Sequence, residues 1–256
     1  MTLGWAIVGI GAHADRYIAP AMRQARGARL VAVYSRNQAR ADSFAVRHGA
    51  PTCRGYTSVD ELLADPLVQA VFIASPDALH APQTIAAARA GKHVLCEKPM
   101  ATTVADARAM VSACATARVK LGVGFHLRHH PAHIQARRYI REGFVGEPSM
   151  AWTQWHSPGS GSYTGLRAWK VDPALAAGGV LAGYGVHCID LLRYLLGQEV
   201  VEVSAFTDVT PQQPAGALGP ERGRGPWPPG EHLRRGHAHP ETRGRAREGG
   251  ARRHLA

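Results

Sequence analysis

Short apolar runs alternate with segments of helical spacing through the N-terminal half of the chain. The runs have strand length and are apolar or β-branched, and they cover Trp5–Gly9, Leu30–Tyr34, Ala70–Ala74, His93–Cys96 and Leu121–Phe125. The segments between them repeat about every 3.6 residues and cover Ala14–Ala25, Gln38–Arg47, Val59–Ala64, Ala81–Ala90 and Val104–Arg118. Strands that alternate with helices form right-handed βαβ units. The pattern therefore predicts an α/β fold with a doubly wound parallel sheet.

The pattern changes after Phe125. The predicted elements are a helix over Ala132–Glu142 opened by Pro131, a strand over Pro148–His156, a Gly- and Ser-rich loop over Ser157–Gly165, a helix over Val180–Leu196 ended by Gly197, and a strand over Val200–Val209. Two strands alone form a marginal sheet, so these elements predict only part of an α+β domain. The expected organisation is a doubly wound domain over 1–122, the incomplete domain over 123–210 and a tail over 211–256.

The tail carries nearly half of the formal net charge of +11, because it holds nine Arg and four Glu. Its lack of Val, Ile, Phe, Tyr and Met predicts disorder, since too little apolar surface is left to offset the ordering entropy. An arginine-rich arm for nucleic acid is an alternative that the few aromatic residues and the glutamates disfavour. Our hypothesis is that residues after about Thr210 are a frameshift product, and alternative reading frames without a strand-like continuation at the locus would refute it.

The composition of the chain outside the tail is typical of an ordinary enzyme. The four cysteines are too dispersed for a C-x-x-C metal or redox pair and too few for a disulfide scaffold. Apolar stretches end well before membrane-spanning length, and the N-terminus has no basic region before an apolar segment and cleavage site. We therefore expect a cytoplasmic protein with reduced thiols and no membrane association.

The first candidate for chemistry is the turn that follows the first strand. Gly9, Ile10, Gly11 and Ala12 begin a G-x-G-x-x-A pattern that ends at Ala14 and opens a helix. Glycines there allow a tight turn and let backbone N–H groups approach a pyrophosphate at the helix N-terminus. At the first β-to-α turn this pattern predicts dinucleotide binding.

The end of the second strand bears on which dinucleotide is bound. An acidic residue there would bind a ribose 2′-hydroxyl, but the chain has Ser35 and Arg36. These two side chains could hold a 2′-phosphate, although a solvated surface arginine is the simpler interpretation of Arg36. The cofactor is predicted to be NADP or NAD, with NADP favoured.

Lys98 follows the fifth strand within Cys96–Pro99. The carboxyl ends of parallel strands line the ligand crevice, and an ammonium group there can stabilise developing charge on a reacting oxygen. Ordinary surface termination of the strand is the alternative interpretation.

In order and spacing, these motifs resemble the glucose-fructose oxidoreductase / inositol dehydrogenase / MocA family. The resemblance rests on Ala6–Ala14, Ser75-Pro76 with His80, Ala90–Pro99, Gly124-Phe125 with Arg128 and Pro131, Trp169 with Asp172-Pro173, and Gly185–Asp190. It spans residues 3 to about 210, which is short for a complete member. It implies an N-terminal Rossmann domain, a C-terminal α+β domain on a large open sheet, and NAD(P)-dependent oxidation or reduction of a sugar, polyol or related hydroxyl compound. Members often self-associate through that sheet.

The resemblance also implies the roles of individual residues. Lys98 would be the catalytic lysine and His187 the general acid/base, for which a pKa near working pH suits a histidine. The remaining assignments are Ser75, Pro76, His80 and Glu97 for the cofactor and Arg128, Trp169, Lys170 and Asp190 for the substrate. A core tryptophan at Trp169 and a structural histidine at His187 are the alternatives.

One position departs from the family pattern. Members commonly carry Asp four residues before the catalytic histidine, and this chain has Gly183 there. Because a carboxylate would orient the histidine and help bind substrate, we expect turnover lowered by roughly 10²-fold or more, and Gly183→Asp to raise kcat/KM. Lys170 or Asp172 could compensate. A catalytically inactive cofactor-binding remnant is the alternative function.

Several histidines between Phe125 and His133 superficially suggest a metal site. His129 and His133 are four residues apart, but no nearby Cys or carboxylate completes a ligand set and Pro131 interrupts the helical spacing. We predict that the chain has no metal site and that these histidines line the cleft or the surface.

Overall fold

A computed structural model describes residues 2–155, 165–179 and 181–204 of the chain. Six strands form one parallel sheet in the order β3-β2-β1-β4-β5-β6. The strands are β1 (Leu3–Val8), β2 (Ala28–Tyr34), β3 (Arg54–Tyr56), β4 (Ala70–Ile73), β5 (His93–Cys96) and β6 (Leu121–Val123). This is the strand order of a Rossmann sheet. The chain adds β2 and β3 on one side of β1 and then β4, β5 and β6 on the other side, so the strand order reverses between β1 and β4.

Helices connect the strands and continue the chain beyond them. The α-helices are α1 (Ala19–Gln24), α2 (Gln38–His48), α3 (Val59–Ala64), α4 (His80–Arg89), α5 (Val104–Thr116), α6 (Pro131–Arg141) and α7 (Val186–Leu196). A π-helical turn, Ala14–Ile18, precedes α1, and another, Leu181–Gly185, precedes α7. Short 3₁₀ segments lie at Asp77–Leu79, His126–His129 and Gly165–Val171. No helix in these described ranges is long and apolar enough to cross a membrane.

Helices cover the sheet on both faces because successive side chains of its strands point in opposite directions. On β1, Ile7 packs in a cluster with Val33 and Phe44, whereas its neighbour Val8 packs in a second cluster with Leu62. All five side chains are at most 1% exposed. Burial on both faces is what makes the strands of this sheet read as continuous apolar runs.

Side-chain caps fix where three of the covering helices begin. The Asn37 side chain accepts a hydrogen bond from the backbone N–H of Arg40, and Ser58 caps α3 in the same way. Thr103 Oγ1 accepts from the backbone N–H of Asp106 and donates to its carboxylate. Each contact satisfies an N–H group that a helix terminus otherwise leaves unpaired.

The predicted doubly wound sheet is confirmed, with all five predicted strands and their connecting helices present to within a few residues. The helix predicted over Ala132–Glu142 is found as α6. Of the helix predicted from Val180 to Leu196, the described residues 181–196 are helical, and Gly197 ends it in a left-handed conformation with φ 67°. Strand β3 was missed. It has three residues with no apolar run, and it forms because Ala32–Tyr34 of β2 supply its hydrogen bonds.

Two predicted strands are not formed where the structure describes them. Residues 148–155 and 200–204 are irregular, and they include exposed apolar side chains such as Trp152 and Val201. An alternating sequence becomes a strand only when a neighbouring strand pairs with it, and neither segment has such a neighbour among the described residues. His156, most of the Ser157–Gly165 loop, residues 205–209 and the 211–256 tail lie outside the described residues.

Candidate active site

A cleft of about 510 Å³ lies at the carboxyl ends of β1, β2 and β4, where the strand order reverses. Gly9 forms its floor. Its φ of +99° is unfavourable for other residues, and a Cβ there would lie 2.7 Å from backbone atoms of both Ala74 and Ser75. Only glycine therefore lets the two strand ends approach this closely.

Gly11 forms the opposite side of the turn and is open. A Cβ built on it meets no described atom within 4 Å, and its carbonyl accepts a hydrogen bond from the N–H of Asp15 at 3.0 Å. Helical backbone begins directly afterwards, so the turn presents N–H groups toward the cleft. A closely packed Gly9 beside an open Gly11 fits the cradle that a dinucleotide pyrophosphate requires.

Basic side chains gather where β2 ends. Ser35 is buried, with 8% of its surface exposed, and Arg36 is exposed; both line the cleft. Arg40, on the first turn of α2, lines it as well, and its guanidinium lies 3.5 Å from the carbonyl oxygen of Ile10. Arg40 was not among the predicted residues, although its spacing of four residues from Arg36 could have indicated it. The three side chains form a donor cluster suited to an anion.

The segment that follows residue 165 closes the other side of the cleft. Trp169, Asp172 and Leu175 line it together with Ser75 and Pro76. The backbone holds the segment in place, because the N–H of Ala78 donates to the carbonyl of Leu175 at 3.0 Å and the Asp77 carboxylate accepts from the N–H of Ala177 at 3.0 Å. Trp169, predicted for the substrate pocket, thus lies on the same cleft as the glycine-rich turn. Lys170 is exposed, with its Nζ 5.7 Å from the centroid of the Trp169 ring.

Glu97, at the end of β5, contacts the glycine-rich turn. His13 Nε2 donates to Glu97 Oε1 at 3.1 Å, and the backbone N–H of Lys98 donates to Oε2 at 3.1 Å. Burial alone would raise the pKa of Glu97, but the hydrogen bond from His13 and the charges of His13 and Lys98 outweigh it and lower that pKa. His13 was not predicted, and the glycine pattern gives no information about this side chain.

Lys98 and His187 lie near each other although they are far apart in sequence. The Nζ atom of Lys98 donates to the carbonyl of Gly183 at 3.1 Å, which joins β5 to the π-helical turn before α7. His187 lies in the first turn of α7 and is 4% exposed. The structure therefore brings both predicted catalytic side chains to the same end of the sheet.

His187 lies among aromatic rings. Trp155 stacks on it at 5.9 Å between centroids, and the rings of Phe125 and His126 meet it edge-on. Burial, followed by the charges of Lys98 and His126, lowers the pKa of His187 from 6.5 to about 4. The imidazole is therefore neutral at pH 7, and it can accept a proton.

Arg128 and Asp190, both predicted to bind substrate, are paired with each other. The Nε and Nη2 atoms of Arg128 donate to the two carboxylate oxygens of Asp190, which is 4% exposed. This bidentate pair attaches the 3₁₀ segment His126–His129 to α7, and hence to His187. Both oxygens of Asp190 accept from Arg128, and a contact of Asp190 with the substrate stays a prediction.

Replacing Asp190 with Asn should destabilise the fold. Breaking a buried ion pair costs more than breaking an exposed one, but Arg128 is 40% exposed and water can resolvate it, so we expect a loss of about 1–3 kcal/mol in the free energy of unfolding. Urea denaturation measures it. Glu199→Gln is the matched control, because it breaks an exposed ion pair with Arg193 and should produce no measurable change. Equal effects of the two variants would contradict the structural role of Asp190.

His80, predicted to bind the cofactor, is 1% exposed and occupied by backbone carbonyls. Its Nδ1 lies 2.8 Å from the carbonyl oxygen of Pro99, and its Nε2 lies 3.0 Å from that of Ser75. The ring therefore joins the end of β4 to the loop after β5. Through these contacts His80 can position Ser75 and Pro76, and its direct contact with a cofactor stays a prediction.

The histidines between Phe125 and His133 do not converge on one point. His133 Nδ1 donates to the carbonyl of Leu127, and His130 Nδ1 accepts from the backbone N–H of Ala132. Across the described ranges no group of three or more His, Cys, Asp or Glu side chains is arranged to hold a metal ion.

The strand order and the cleft at its reversal place the chain among the Rossmann-fold dinucleotide-binding proteins. Residues 3–125 match the profile of the GFO/IDH/MocA oxidoreductase family with an NAD-binding Rossmann fold, and residues 133–223 match the C-terminal domain of the same family. The chain belongs to the GFO/IDH/MocA family, which confirms the resemblance inferred from the sequence.

Named relatives act on sugars and polyols. The chain is 38% identical over 203 residues to 1,5-anhydro-D-fructose reductase of Ensifer adhaerens, covering 79% of this chain and 59% of the reductase. It is 33% identical to inositol 2-dehydrogenase 2 of Saccharopolyspora erythraea, covering 81% and 58%. The crystallised complex of levoglucosan dehydrogenase with NADH and levoglucosan superposes with a TM-score of 0.65 at 28% identity, covering 77% and 55%. The chain thus spans a little under three fifths of the length of these relatives.

Proposed function

We propose that the chain is an NAD(P)-dependent oxidoreductase that acts on a hydroxyl-bearing carbon of a sugar or polyol, or on the corresponding carbonyl. The observation that carries this proposal is the approach of Lys98, which follows β5, to Gly183, because this contact holds an ammonium group near the buried His187. The relatives named as sugar reductases and polyol dehydrogenases support the same substrate class. A nicotinamide cofactor, if held at the cleft by the turn at Gly9 and Gly11, would provide the hydride chemistry of this reaction.

His187 and Lys98 have different proposed roles at the reacting oxygen of the substrate. His187 is neutral at pH 7, so it can accept the hydroxyl proton in the oxidation direction. Lys98 carries three N–H donors, of which one is held by the Gly183 carbonyl, and the others can stabilise negative charge that develops on the same oxygen. Burial of His187 among aromatic rings excludes water from the proton transfer.

The proposed cofactor is NADP in preference to NAD. Ser35, Arg36 and Arg40 line the cleft at the end of β2. Among the described residues, no acidic side chain lines the cleft at this strand end. A ribose 2′-phosphate would gain charge-assisted hydrogen bonds from the two arginines, whereas a 2′-hydroxyl lacks its usual carboxylate partner.

The double variant Arg36→Ala/Arg40→Ala tests this preference. We expect its Kd for NADPH to rise by about ten- to a hundredfold, because hydrogen bonds to charged groups contribute about 1.5–3 kcal/mol, while its Kd for NADH changes little. Nicotinamide fluorescence measures both constants. Arg29→Ala is the matched control, since Arg29 is exposed near the opposite end of the same strand. A parallel loss of NADH affinity would contradict selective phosphate recognition.

The function itself is tested in two stages. Fluorescence titration with NADPH should show binding, and absorbance at 340 nm should then show turnover on a panel of sugars and inositols. Binding without any turnover would instead support the inactive remnant, an alternative that the active relatives do not favour.

All four cysteines are free thiols, in keeping with the proposed cytoplasmic location. Self-association remains a prediction that sedimentation can test.

A further inference from the structure

One wall of the dinucleotide cleft is formed by the end of β4 and the start of α4. Ser75, Pro76, Leu79 and Gln83 line this wall, and the end of β2 with Arg36 lines the cleft on the other side of β1. Leu79 and Gln83 are four residues apart, so they lie on the same face of the helix. A base attached to a ribose at the end of β2 would occupy the space between the two walls.

The cleft is suited to the adenosine half of the dinucleotide. Lys98 and His187, the proposed reacting side chains, are not among the described residues that line it. Ser35 and Arg36, which are proposed to hold the ribose 2′-phosphate, do line it, and that phosphate belongs to the adenosine half. The wall that contains Gln83 therefore faces the adenine base rather than the nicotinamide.

The side-chain amide of Gln83 is held in one orientation by Ser75. Ser75 Oγ donates a hydrogen bond to Gln83 Oε1 at 2.6 Å. Ser75 is itself buried, and its carbonyl oxygen lies 3.0 Å from Nε2 of the buried His80. The amide oxygen of Gln83 is thus occupied, whereas its Nε2 has no hydrogen-bond partner in the part of the chain that the structure describes. Gln83 therefore offers the cleft a hydrogen-bond donor.

A donor at this wall can distinguish one purine base from another. Contact with the apolar side chains of Pro76 and Leu79 cannot do so, because every base has an apolar face. Selection instead requires hydrogen bonds to the edge of the base. Atom N1 of adenine is an acceptor, whereas N1 of hypoxanthine carries a hydrogen and is a donor. An N–H group that meets this edge pairs with adenine and opposes hypoxanthine.

We propose that Gln83 selects adenine as the base of the cofactor, by donating a hydrogen bond from its amide nitrogen to adenine N1. Ser75 is the positioning residue that keeps the amide in this orientation. The proposal rests on the proposed oxidoreductase function and adds a residue that determines cofactor specificity. The six-membered ring of adenine points away from the ribose, which is the direction of the wall opposite the end of β2.

The test compares NADPH with its analogue in which hypoxanthine replaces adenine, both titrated into the full chain by nicotinamide fluorescence. For the wild-type chain we expect the Kd of the analogue to be higher by about tenfold or more, because its N1–H meets the amide N–H of Gln83. The measurement reports binding alone, so it needs neither a substrate nor turnover.

Two variants of Gln83 test the direction of the hydrogen bond. Gln83→Glu replaces the donor with an acceptor of the same shape, which opposes adenine N1 and pairs with the N1–H of hypoxanthine, so the analogue should become the tighter ligand. Gln83→Leu has no polar group and should bind the two dinucleotides about equally. Gln135→Glu is the matched control, because it makes the same change at an exposed position on α6 and should keep the wild-type ratio of the two Kd values.

The positioning role of Ser75 is tested separately. Ser75→Ala leaves the Gln83 amide free to turn, so the ratio of the two Kd values should fall toward one. Ser75→Thr keeps the hydroxyl group and should retain the wild-type ratio. Circular dichroism checks that the variants fold. An unchanged ratio in Ser75→Ala would remove Ser75 from the selection of the base.

The outcomes separate this inference from the proposed function. If NADPH does not bind, the oxidoreductase proposal fails and the proposal for Gln83 fails with it. If NADPH binds but the wild-type chain binds the hypoxanthine analogue as tightly, or if Gln83→Glu keeps the wild-type preference, only the selection of adenine by Gln83 is overturned.

Discussion

Replacement of His187 with Asn is expected to lower kcat by about 10²- to 10⁴-fold, the usual contribution of a positioned general acid/base. Asparagine keeps a polar group in the buried position but cannot take up the hydroxyl proton. The Kd for NADPH should stay unchanged, because His187 does not line the dinucleotide cleft. Steady-state kinetics with the best substrate of the panel, together with fluorescence titration, measure the two effects separately.

A matched control for this variant is His129→Asn, in which an exposed ring of the neighbouring 3₁₀ segment is removed. It should retain wild-type kcat. The pH profile of the wild-type chain adds a second check, because burial and the charge of Lys98 lower the pKa of His187 to about 4. The neutral, proton-accepting form then persists below pH 6.5, so kcat/KM for oxidation should fall only near pH 4. Equal losses in the two variants would remove His187 from the chemistry.

Local pattern was enough to predict the doubly wound sheet. Strands β1, β2 and β4 are largely buried apolar runs, and the turn at Gly9 requires glycine because of the adjacent Ala74 backbone. Strand β3 shows where pattern is insufficient. Arg54–Tyr56 has no apolar run, and Gly55 instead permits close contact, since a Cβ there would lie 2.4 Å from the side chain of Asp42 and 2.8 Å from backbone of α2. Its place is set by tertiary packing rather than by propensity.

The family motifs indicate which side chains lie at the candidate site, but they do not indicate which of these side chains bind each other. Lys98 and His187 are brought close together, as the family motifs imply. Arg128 and Asp190 belong to the same motifs, yet they bind each other, because a motif specifies residue types and spacing but not which donor meets which acceptor. The same reason explains His80, whose two ring nitrogens are taken up by backbone carbonyls that no sequence pattern reveals.

Replacement of Lys98 with Met should lower kcat/KM by about a hundredfold or more, since one donor to a developing oxyanion contributes about 10²- to 10³-fold. Methionine keeps an unbranched chain of similar length but has no charge and no N–H. Lys120→Met is the matched control, because Lys120 is exposed immediately before β6 and should be silent. A Kd for NADPH close to that of the wild type would assign the loss to the reacting oxygen rather than to cofactor binding.

The same variant has a second, independent consequence for His187. Burial is the main cause of the lowered pKa of His187, and the charge of Lys98 is the next largest. Removing that charge makes the imidazolium less unfavourable, so the pKa of His187 should rise from about 4 toward 6.5. The fall in kcat/KM for oxidation should then begin at a higher pH, and the ring signals of His187 in NMR should titrate there as well. A large loss of rate without this shift would mean that Lys98 acts far from His187, contrary to the hydrogen bond that holds Lys98 at Gly183.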